Sequence, residues 1–501
     1  MEQKTLTRRN FLAISAAAAA LPAIPESAGA AQSRPNVLFI AVDDLRPQLN
    51  CYGKKQIVSP NIDRLAHEGL LFERTYCQQA VCAPSRVSVL SGLRPDSTKI
   101  YDLNTPLRKA LPDVLSLPQH FRNNGYETLS IGKIYHHPTD DKQGWSIPPF
   151  RAGTFPEGGW KGRGYITQEA IEQMNQYNSE NPNMDGRGPA YEAADVPDNH
   201  YPDGANADHA IEELRRLKAG GKPFFMAMGF YKPHLPFNAP KKYWDLYRSE
   251  DIALADNPFL PADSPSYAPT DWGELRGYYG IPKKGPCSDD LARTLIHAYN
   301  ACVSYMDAQL GRLLDAMDRL DLRRNTVVIL WGDHGWKLGE HALWSKHTNY
   351  ELDTRVPMLV SVPNQKKRTA RTRALTEFVD IYPSLCELAG LPVPAHCEGT
   401  SFVPLIDNPN RPWKTAAFSQ YPRGKVMGYT MRTERWRYTE WQDRSNGQVM
   451  ARELYDHYAD PAENKNMAAV SEMQSTVAEL SAKLRAGWRA AKAEVSSHML
   501  M

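Results

Sequence analysis

The sequence has few cysteines, almost no net charge and no long apolar run, and each absence excludes a class of protein. Seven cysteines among 501 residues are too few for a disulfide-stapled scaffold. A net charge of +2 provides no basic field of the kind that nucleic-acid-binding proteins use. The most apolar stretch, near the N-terminus, is too short and too rich in alanine to span a bilayer. We therefore predict no nucleic-acid partner and no stable membrane anchor.

The N-terminus has the order of parts that is typical of an export signal. Arg8 and Arg9 precede a modest apolar stretch, and Ala28-Gly29-Ala30 follows as a small-residue cleavage site. A disordered alanine-rich tail is the alternative. The pattern favours a twin-arginine signal over residues 1–30, which the folded protein would carry across the membrane. We expect a periplasmic or secreted mature protein.

The remaining length is sufficient for a large core. With 42% hydrophobic residues and no internal repeat, the chain predicts a main domain over residues 31–410 and a smaller one over residues 411–501. In the smaller domain, "GYTMRTERWRYTEW" alternates as an antiparallel hairpin does, and residues 468–495 have a helical pattern. Cys386 and Cys397 form a candidate loop-closing disulfide after export.

Apolar runs in the main domain end in ionisable residues. They are "NVLFIAVDD", "YETLSIGKIYHH", "PFFMAMGFYKPH" and "TVVILWGDH", and helix-like segments lie between them, at 60–67, 114–123, 208–218 and 291–320. Short runs rich in β-branched and aromatic residues are typical of buried parallel strands. The sequence therefore predicts an α/β fold with a large doubly wound, mostly parallel sheet flanked by helices, and a smaller C-terminal α+β domain with a short antiparallel sheet and a terminal helix.

Because ligands bind beyond the carboxyl ends of such strands, the four polar run ends are expected to share one crevice. Taken singly, each has a simpler interpretation: a solvated turn at Asp43-Asp44, surface groups at Lys133, His136 and His137, or a Gly-Asp loop at 332–341. Their common position at strand ends favours a site. The long segment 138–206, rich in Pro, Gly and Asn, is expected to border it.

"VCAPSRVSVLSG" places Cys82 just before a predicted helix. Pro84 suits the first helical position and Gly92 can end the helix. A thiol beside free backbone N–H groups can be a low-pKa nucleophile, half of a disulfide (for example with Cys77), a metal ligand or a site of modification. The cysteine alone does not decide among these.

Ordered motifs along nearly the whole mature chain resemble the sulfatase family, and in particular its iduronate-2-sulfatase-like branch. Cys82-Ala83-Pro84-Ser85-Arg86 matches the C-x-P-S-R signature, in which the cysteine becomes formylglycine. The companion stretches are "VDDLRPQLNCYG", "SPNIDRLA", "IGKIYHHP", "YKPHLPF", "GDHGWKLGEHALWSK" and "ELYDHYADP". The resemblance implies a formylglycine-dependent sulfuric ester hydrolase of the alkaline phosphatase superfamily.

The same resemblance assigns roles to residues of this chain. One calcium ion is expected on Asp43, Asp44, Asp333 and His334 together with residue 82, since carboxylates suit a hard cation. Arg86 and Lys133 would hold the modified residue and the sulfate oxygens. His234, with Lys346 beside it, would protonate the leaving alcohol, and His136 would take a proton when sulfate is released, with His137 the adjacent alternative. A sulfatase-maturating enzyme is an implied partner.

One residue departs from the pattern of many sulfatases. They have Asn where this chain has His334, although the iduronate-2-sulfatase-like members have His. Nitrogen is a poor ligand for calcium, so direct ligation by His334 and the identity of the ion stay open.

The motifs define the substrate less directly than they define the reaction. The resemblance implies exo-acting removal of a 2-O-sulfate from a terminal uronic acid of a glycosaminoglycan-like oligosaccharide, with Arg46, Trp336 and His341 as candidate sugar contacts. Ordinary loop packing is the alternative for these three. An algal sulfated polysaccharide (ulvan, carrageenan or fucoidan), a phosphate or phosphonate ester, and a non-catalytic glycan-binding role are the other functions left open.

Overall fold

We describe a computed structural model of the chain over residues 34–137, 139–153, 164–183 and 186–492. The predicted export signal over residues 1–30 lies outside the described residues. No helix within these ranges combines the length and the apolar character needed to cross a membrane.

The strands are β1 Asn36–Val42, β2 Leu70–Tyr76, β3 Glu127–Gly132, β4 Tyr191–Glu192, β5 Phe224–Phe230, β6 Phe237–Asn238, β7 Thr326–Gly332, β8 Arg355–Ser361, β9 Ala370–Thr372, β10 Thr376–Glu377, β11 Ala417–Arg423, β12 Val426–Arg432, β13 Trp436–Asp443 and β14 Val449–Asp456. The helices are α1 Pro60–Glu68, α2 Cys82–Ser91, α3 Pro95–Thr98, α4 Leu107–Ala110, α5 Leu117–Asn123, α6 Gln168–Glu180, α7 Pro202–Gly220, α8 Lys241–Trp244, α9 Asp289–Arg319, α10 Glu351–Thr354, α11 Ile381–Leu388, α12 Val403–Asp407 and α13 Gln474–Ala490.

The large sheet has the strand order β10-β2-β8-β7-β1-β5-β3, with β9 also paired to β2. Strands β7, β1, β5 and β3, which correspond to the four apolar runs in the sequence, are neighbours and all parallel. Strand β8 runs antiparallel to both of its neighbours, so the sheet is mixed but mostly parallel. The predicted fold class is confirmed.

Helices cover both faces of this sheet. Leu38 and Ile40 of β1 belong to the hydrophobic cluster that α1, α7 and α9 share, whereas Val37 and Phe39 belong to the cluster shared by α2, α5 and α11. Because successive side chains of a strand point to opposite faces, a strand covered on both sides must be apolar throughout. This explains why the central strands appear in the sequence as unbroken apolar runs.

The C-terminal part is an antiparallel sheet, β11-β12-β13-β14, with α13 packed on it through Met431, Tyr438, Val477 and Leu480. Strands β12 and β13 form the predicted hairpin, and the terminal helix is shorter than the predicted 468–495. A boundary between residues 410 and 411 stays a prediction.

Three local features differ from the sequence expectations. Helix α2 begins at Cys82, so Pro84 is its third residue, and Gly92 ends it with a φ of 71°. The segment 138–206 contains helix α6, which Thr167 caps and which buries Ala170, Met174 and Tyr177. All seven cysteines are free thiols, including Cys386 and Cys397, so the structure does not contain the proposed disulfide.

Buried ion pairs join the C-terminal sheet to the main sheet. Arg437 of β13, with 1% of its side chain exposed, pairs with Glu351 of α10 at 2.5 Å and with Glu463 at 2.6 Å. Arg435, two residues earlier, pairs with Asp456 at 2.6 Å but has 48% of its side chain exposed. The two arginines therefore offer a matched comparison of a buried and an exposed ion pair.

We predict that Arg437→Met lowers the free energy of unfolding by at most ~3–5 kcal/mol, because Glu351 and Glu463 lose the cation that they share. Each keeps one other partner, Arg432 for Glu351 and His457 for Glu463. Arg435→Met is expected to leave the denaturation midpoint nearly unchanged, because water screens an ion pair of an exposed arginine. Urea denaturation followed by circular dichroism measures both values. Equal denaturation midpoints for the two variants would show that Arg437 does not anchor the sheet.

Candidate active site

The four central strands deliver ionisable side chains to one edge of the sheet. Asp43 and Asp44 follow β1, Lys133 follows β3, and Asp333 and His334 follow β7. His234 follows β5 by four residues. Since the strands are parallel neighbours, their carboxyl ends lie together, and the structure brings these residues into contact as the sequence predicts.

Asp43 is surrounded by cations. Its Oδ1 accepts a hydrogen bond from Nη2 of Arg86 at 3.2 Å, and its Oδ2 pairs with Nζ of Lys133. Burial alone would raise the pKa of Asp43, but Lys133, His234 and Arg86 together hold it well below the ordinary value. Asp43 is therefore a carboxylate at all ordinary pH values.

Arg86 fixes two carboxylates and two strand-end carbonyl groups at once. Its Nε donates to Oδ2 of Asp333 at 2.8 Å, and its Nη1 donates to the carbonyl oxygens of Lys133 and Ile134. The side chain is fully buried, and its polar atoms are occupied by protein groups. Arg86 therefore positions the carboxylates. Lys133, which lines the cavity described below, is the better placed of the two to meet a substrate.

Cys82 is the first residue of α2 and lies among these groups. Its Sγ is 3.2 Å from Nε2 of His334 and 3.5 Å from both Oδ1 of Asp43 and Nζ of Lys133. Burial, with Asp43 next in effect, raises the pKa of the Cys82 thiol well above its ordinary value. Of the interpretations that the sequence left open for this cysteine, the raised pKa disfavours a low-pKa thiolate.

The side chains of Asp43, Cys82, Asp333 and His334 offer ligand atoms that all lie within 4.8 Å of one another. Nδ1 of His334 lies 3.0 Å from the carbonyl oxygen of Gly335, and a proton on that nitrogen leaves the lone pair of Nε2 facing the cluster. Two carboxylates and an imidazole, with an oxygen at residue 82, form a donor set that fits one divalent cation.

Asp44, which the sequence also placed among the metal ligands, borders this cluster. Its carboxylate belongs to another group of possible ligands with Cys82 and His234, and its Oδ1 lies 3.3 Å from Nδ1 of His334. Its carboxylate accepts hydrogen bonds from Nζ of Lys346 at 2.9 and 3.1 Å. The residue has a φ of 60°, and its backbone N–H donates to Oδ1 of Asp333 at 3.0 Å. This turn directs the Asp44 side chain toward Lys346 and His234, with which it forms a second group of charges.

Glu274 completes that second group and was not identified from the sequence. Its Oε1 lies 3.1 Å from Nε2 of His234, and its Oε2 lies 3.3 Å from Nζ of Lys346. Burial would raise the pKa of Glu274, yet Lys346 and His234 hold it well below the ordinary value. Burial and Lys346 would lower the pKa of His234, but Asp44, Glu274 and Asp43 outweigh them and raise it. Protonated His234 can therefore serve as an acid.

His136 has the opposite character. Burial, then Lys133, lowers the pKa of His136 to about 3, and its buried Nδ1 has no hydrogen-bond partner within the described ranges. A free nitrogen gives the neutral imidazole the lone pair that a proton acceptor needs, but a pKa this low makes it a weak base. The negative charge of a bound sulfate would raise this pKa, so His136 suits a proton transfer that occurs with the anion in place. His137 also lines the cavity, so the ambiguity between the two histidines stays.

These groups line a cavity of about 410 Å³, which we call the strand-end cavity. Described residues of segment 138–206, from Gly164 to Asp203, border it as expected. Leu235, Pro236, Glu274 and Tyr278 form another part of its wall. Its lining residues are Asp43, Lys133, His136, His137, Gly164, Gly186, Arg187, Tyr201, Pro202, Asp203, Tyr231, Lys232, His234, Leu235, Pro236, Glu274, Tyr278 and Tyr305.

The three predicted sugar contacts are not on that wall. Arg46 is buried and pairs with Glu340 at 2.6 Å. Trp336 is fully buried beneath Lys346, whose Nζ lies 5.0 Å from the ring centroid. His341 is buried, and its Nε2 lies 2.9 Å from the carbonyl oxygen of Ala462. The structure supports the ordinary loop-packing alternative for all three.

Comparison with known proteins is consistent with this geometry. The model of the family described as "Sulfatase" matches residues 35–391, and that of "N-sulphoglucosamine sulphohydrolase, C-terminal" matches residues 339–489. Iduronate 2-sulfatase of Mus musculus is 35% identical over 519 aligned positions, which cover 86% of this chain and 90% of the mouse protein.

Solved structures agree on the fold. A structure described as a complex with the substrate D-glucosamine-2-N,6-O-disulfate superposes with a TM-score of 0.71 at 23% identity, covering 91% of this chain and 97% of the other. The phosphonate monoester hydrolase of Agrobacterium radiobacter gives a TM-score of 0.67 at 22% identity, covering 90% and 95%. At these identities the likeness concerns the fold and leaves the reaction to other observations.

We predict that Glu274→Gln lowers the pKa of His234, because one of the carboxylates that stabilise the imidazolium is removed. Nuclear magnetic resonance titration of the His234 ring measures this value. Glu340→Gln is the matched control, since Glu340 is also a buried carboxylate but pairs with Arg46 instead. An unchanged His234 titration in Glu274→Gln would contradict the assigned coupling.

Proposed function

The chain belongs to the sulfatase family, and from that membership we propose that it removes 2-O-sulfate groups from terminal uronic acids of a sulfated glycan. Sulfuric ester hydrolysis is the activity of the family. The observation that carries the proposal for this chain is the position of Cys82, which is buried against Asp43, Asp333 and His334. Asp43 and Lys133, both next to Cys82, line the strand-end cavity.

We propose that Cys82 acts after conversion to formylglycine by a maturating enzyme. The C-x-P-S-R motif and the raised pKa of the thiol support this, because an unmodified thiol at this place is a weak nucleophile. Formylglycine would act as its hydrate, which carries two hydroxyl groups. One would attack sulfur while the bond from sulfur to the sugar oxygen breaks, and loss of the proton of the other would re-form the aldehyde as inorganic sulfate leaves.

A divalent cation, proposed to be calcium, fits beside it. Asp43, Asp333 and Asp44 beside them would hold the ion through carboxylate oxygens, together with residue 82, and Nε2 of His334 faces the same position. Such an ion supplies Lewis-acid polarisation of the nucleophile and of the sulfate oxygens. Arg86 keeps Asp43 and Asp333 apart and oriented, which preserves the geometry of the ligand set.

The remaining charged residues act on the substrate. Lys133 lies 3.5 Å from Sγ of Cys82 and is suited to hold a sulfate oxygen. Protonated His234, coupled to Glu274 and Lys346, is suited to protonate the departing sugar oxygen, while neutral His136 is suited to accept a proton when sulfate is released. One acid or base contributes ~10²–10⁴-fold, so most of the acceleration must come from these fixed charges and the covalent route.

The substrate proposal rests on similarity and on the shape of the site. The mouse relative is named iduronate 2-sulfatase, and the strand-end cavity of about 410 Å³ is of a size that suits a single sugar residue. Both favour removal of sulfate from a chain end. Sulfated algal glycans with a terminal uronic acid satisfy the same requirements.

We propose in addition that the protein is exported by the twin-arginine pathway and works in the periplasm or outside the cell. The order of Arg8, Arg9, the apolar stretch and Ala28-Gly29-Ala30 in the sequence supports this. An exported enzyme of this kind would act on scavenged polysaccharide.

The substrate is tested with defined sulfated oligosaccharides from heparin, chondroitin, ulvan, carrageenan and fucoidan. We expect free sulfate only from saccharides that carry a 2-O-sulfated uronic acid at the non-reducing end, measured by ion chromatography with mass spectrometry of the sugar product. Release only from 6-O-sulfated hexosamines, or only from internal positions, would refute the proposed specificity.

The metal is tested by elemental analysis of purified protein. We expect one calcium ion per chain in the wild type and loss of most of it in Asp333→Asn, with at least ~100-fold slower turnover. Asp307→Asn is the control, because Asp307 is a buried carboxylate that accepts hydrogen bonds from the backbone of α1 far from the cluster. Full metal content in Asp333→Asn would overturn the assigned ligand set.

A further inference from the structure

Arg187 lies on the wall of the strand-end cavity, and the proposed mechanism assigns no role to this cation. It is partly exposed and lies in segment 138–206, which the sequence predicted to border the site. It shares the cavity with His136, His234 and Glu274, the groups that surround the reacting ester. Its chemistry therefore bears on what else the substrate carries.

The guanidinium group is held in place by packing. Its central carbon lies 5.5 Å from the centroid of the Tyr278 ring. A Cβ atom at Gly277 would lie only 1.7 Å from Nη1 of Arg187, so the guanidinium occupies the space that a side chain at 277 would need. Stacking and this close approach to the backbone restrict the group without using its hydrogen-bond donors.

The lysines of the cavity wall, Lys133 and Lys232, and the neighbouring Lys346 all have their ammonium groups paired with protein groups. Lys133 pairs with Asp43, and Lys346 pairs with Asp44 and Glu274. Nζ of Lys232 donates to the carbonyl oxygens of His234 and Pro236. Across the ranges that the structure describes, Arg187 has an aromatic contact but no hydrogen bond and no ion pair. The guanidinium group of Arg187 thus lines the cavity with its N–H donors available to a ligand.

We propose that Arg187 binds a second anionic group of the substrate sugar, namely the carboxylate of the uronic acid. The inference rests on the proposed function for the identity of that group. An arginine fork matches a planar carboxylate through two parallel hydrogen bonds, and it binds a second sulfate through the same chemistry. A neutral sugar sulfate would leave the guanidinium without a partner, so Arg187 selects for acidic sugars.

The test compares Arg187→Gln with the wild type on three kinds of substrate: a sulfated uronic acid disaccharide, a disulfated hexosamine without a carboxylate, and nitrophenyl sulfate, which has no second anion. We expect kcat/KM for the uronic acid substrate to fall ~10- to 100-fold, mainly through KM, with nitrophenyl sulfate hydrolysis changed less than about twofold. Arg187→Lys should recover part of the loss because it restores the charge but not the fork. Arg324→Gln, at an exposed arginine outside the cavity, is the control and should match the wild type on all substrates.

Each outcome has a distinct meaning. If the wild type hydrolyses only the disulfated hexosamine and depends on Arg187 to do so, the uronic acid specificity fails, and Arg187 binds a sulfate in place of a carboxylate. An equal loss on nitrophenyl sulfate would show a structural role and overturn the proposal. No loss on any anionic sugar, or turnover confined to substrates without a second anion, would overturn it as well.

Discussion

Mutual repulsion among buried carboxylates is the constraint on which the site depends. Asp43, Asp44 and Asp333 are buried close together, and Glu274 beside them is half-buried. Burial alone would raise the pKa values of Asp43, Asp44 and Glu274. Arg86, Lys133 and Lys346 supply three permanent positive charges, and His234, whose pKa is raised, supplies a fourth when it is protonated. The group is then close to neutral, and a divalent ion added to it makes the site attractive to a sulfate ester.

The parallel sheet explains how residues nearly 300 positions apart along the chain meet. Each central strand is covered on both faces by apolar side chains. The polar residues that follow these strands therefore lie at the carboxyl edge of the sheet, which is not covered. Helix α2 begins at this edge and places Cys82 next to Asp43. Arg86, one turn later in the same helix, binds the carboxylates of Asp43 and Asp333. Burial raises the pKa of the Cys82 thiol, which is consistent with the proposed conversion of this residue to an oxygen nucleophile.

The sequence was sufficient for the strands, the sheet class and the meeting of Asp43, Lys133, His234 and Asp333, because buried parallel strands leave an unbroken apolar pattern. It was not sufficient for Glu274 or Arg187. Both lie in irregular segments, where no periodic pattern of apolar residues indicates which way a side chain points. Trp336 and His341 were predicted as sugar contacts because they follow a strand end closely in the sequence, but the structure buries both. There the loop after β7 folds back into the interior, and Arg46 pairs with Glu340 of that same loop.

The claim that residue 82 carries the covalent step is tested most directly with Cys82→Ser made in a host without a sulfatase-maturating enzyme. A serine oxygen can attack sulfur but cannot release the sulfate by recovering an aldehyde, so the reaction should stop after one turnover. The account predicts release of one equivalent of alcohol from nitrophenyl sulfate and a sulfated serine in the peptide that contains position 82, detected by mass spectrometry. Continuous turnover with no sulfate on that peptide would contradict it.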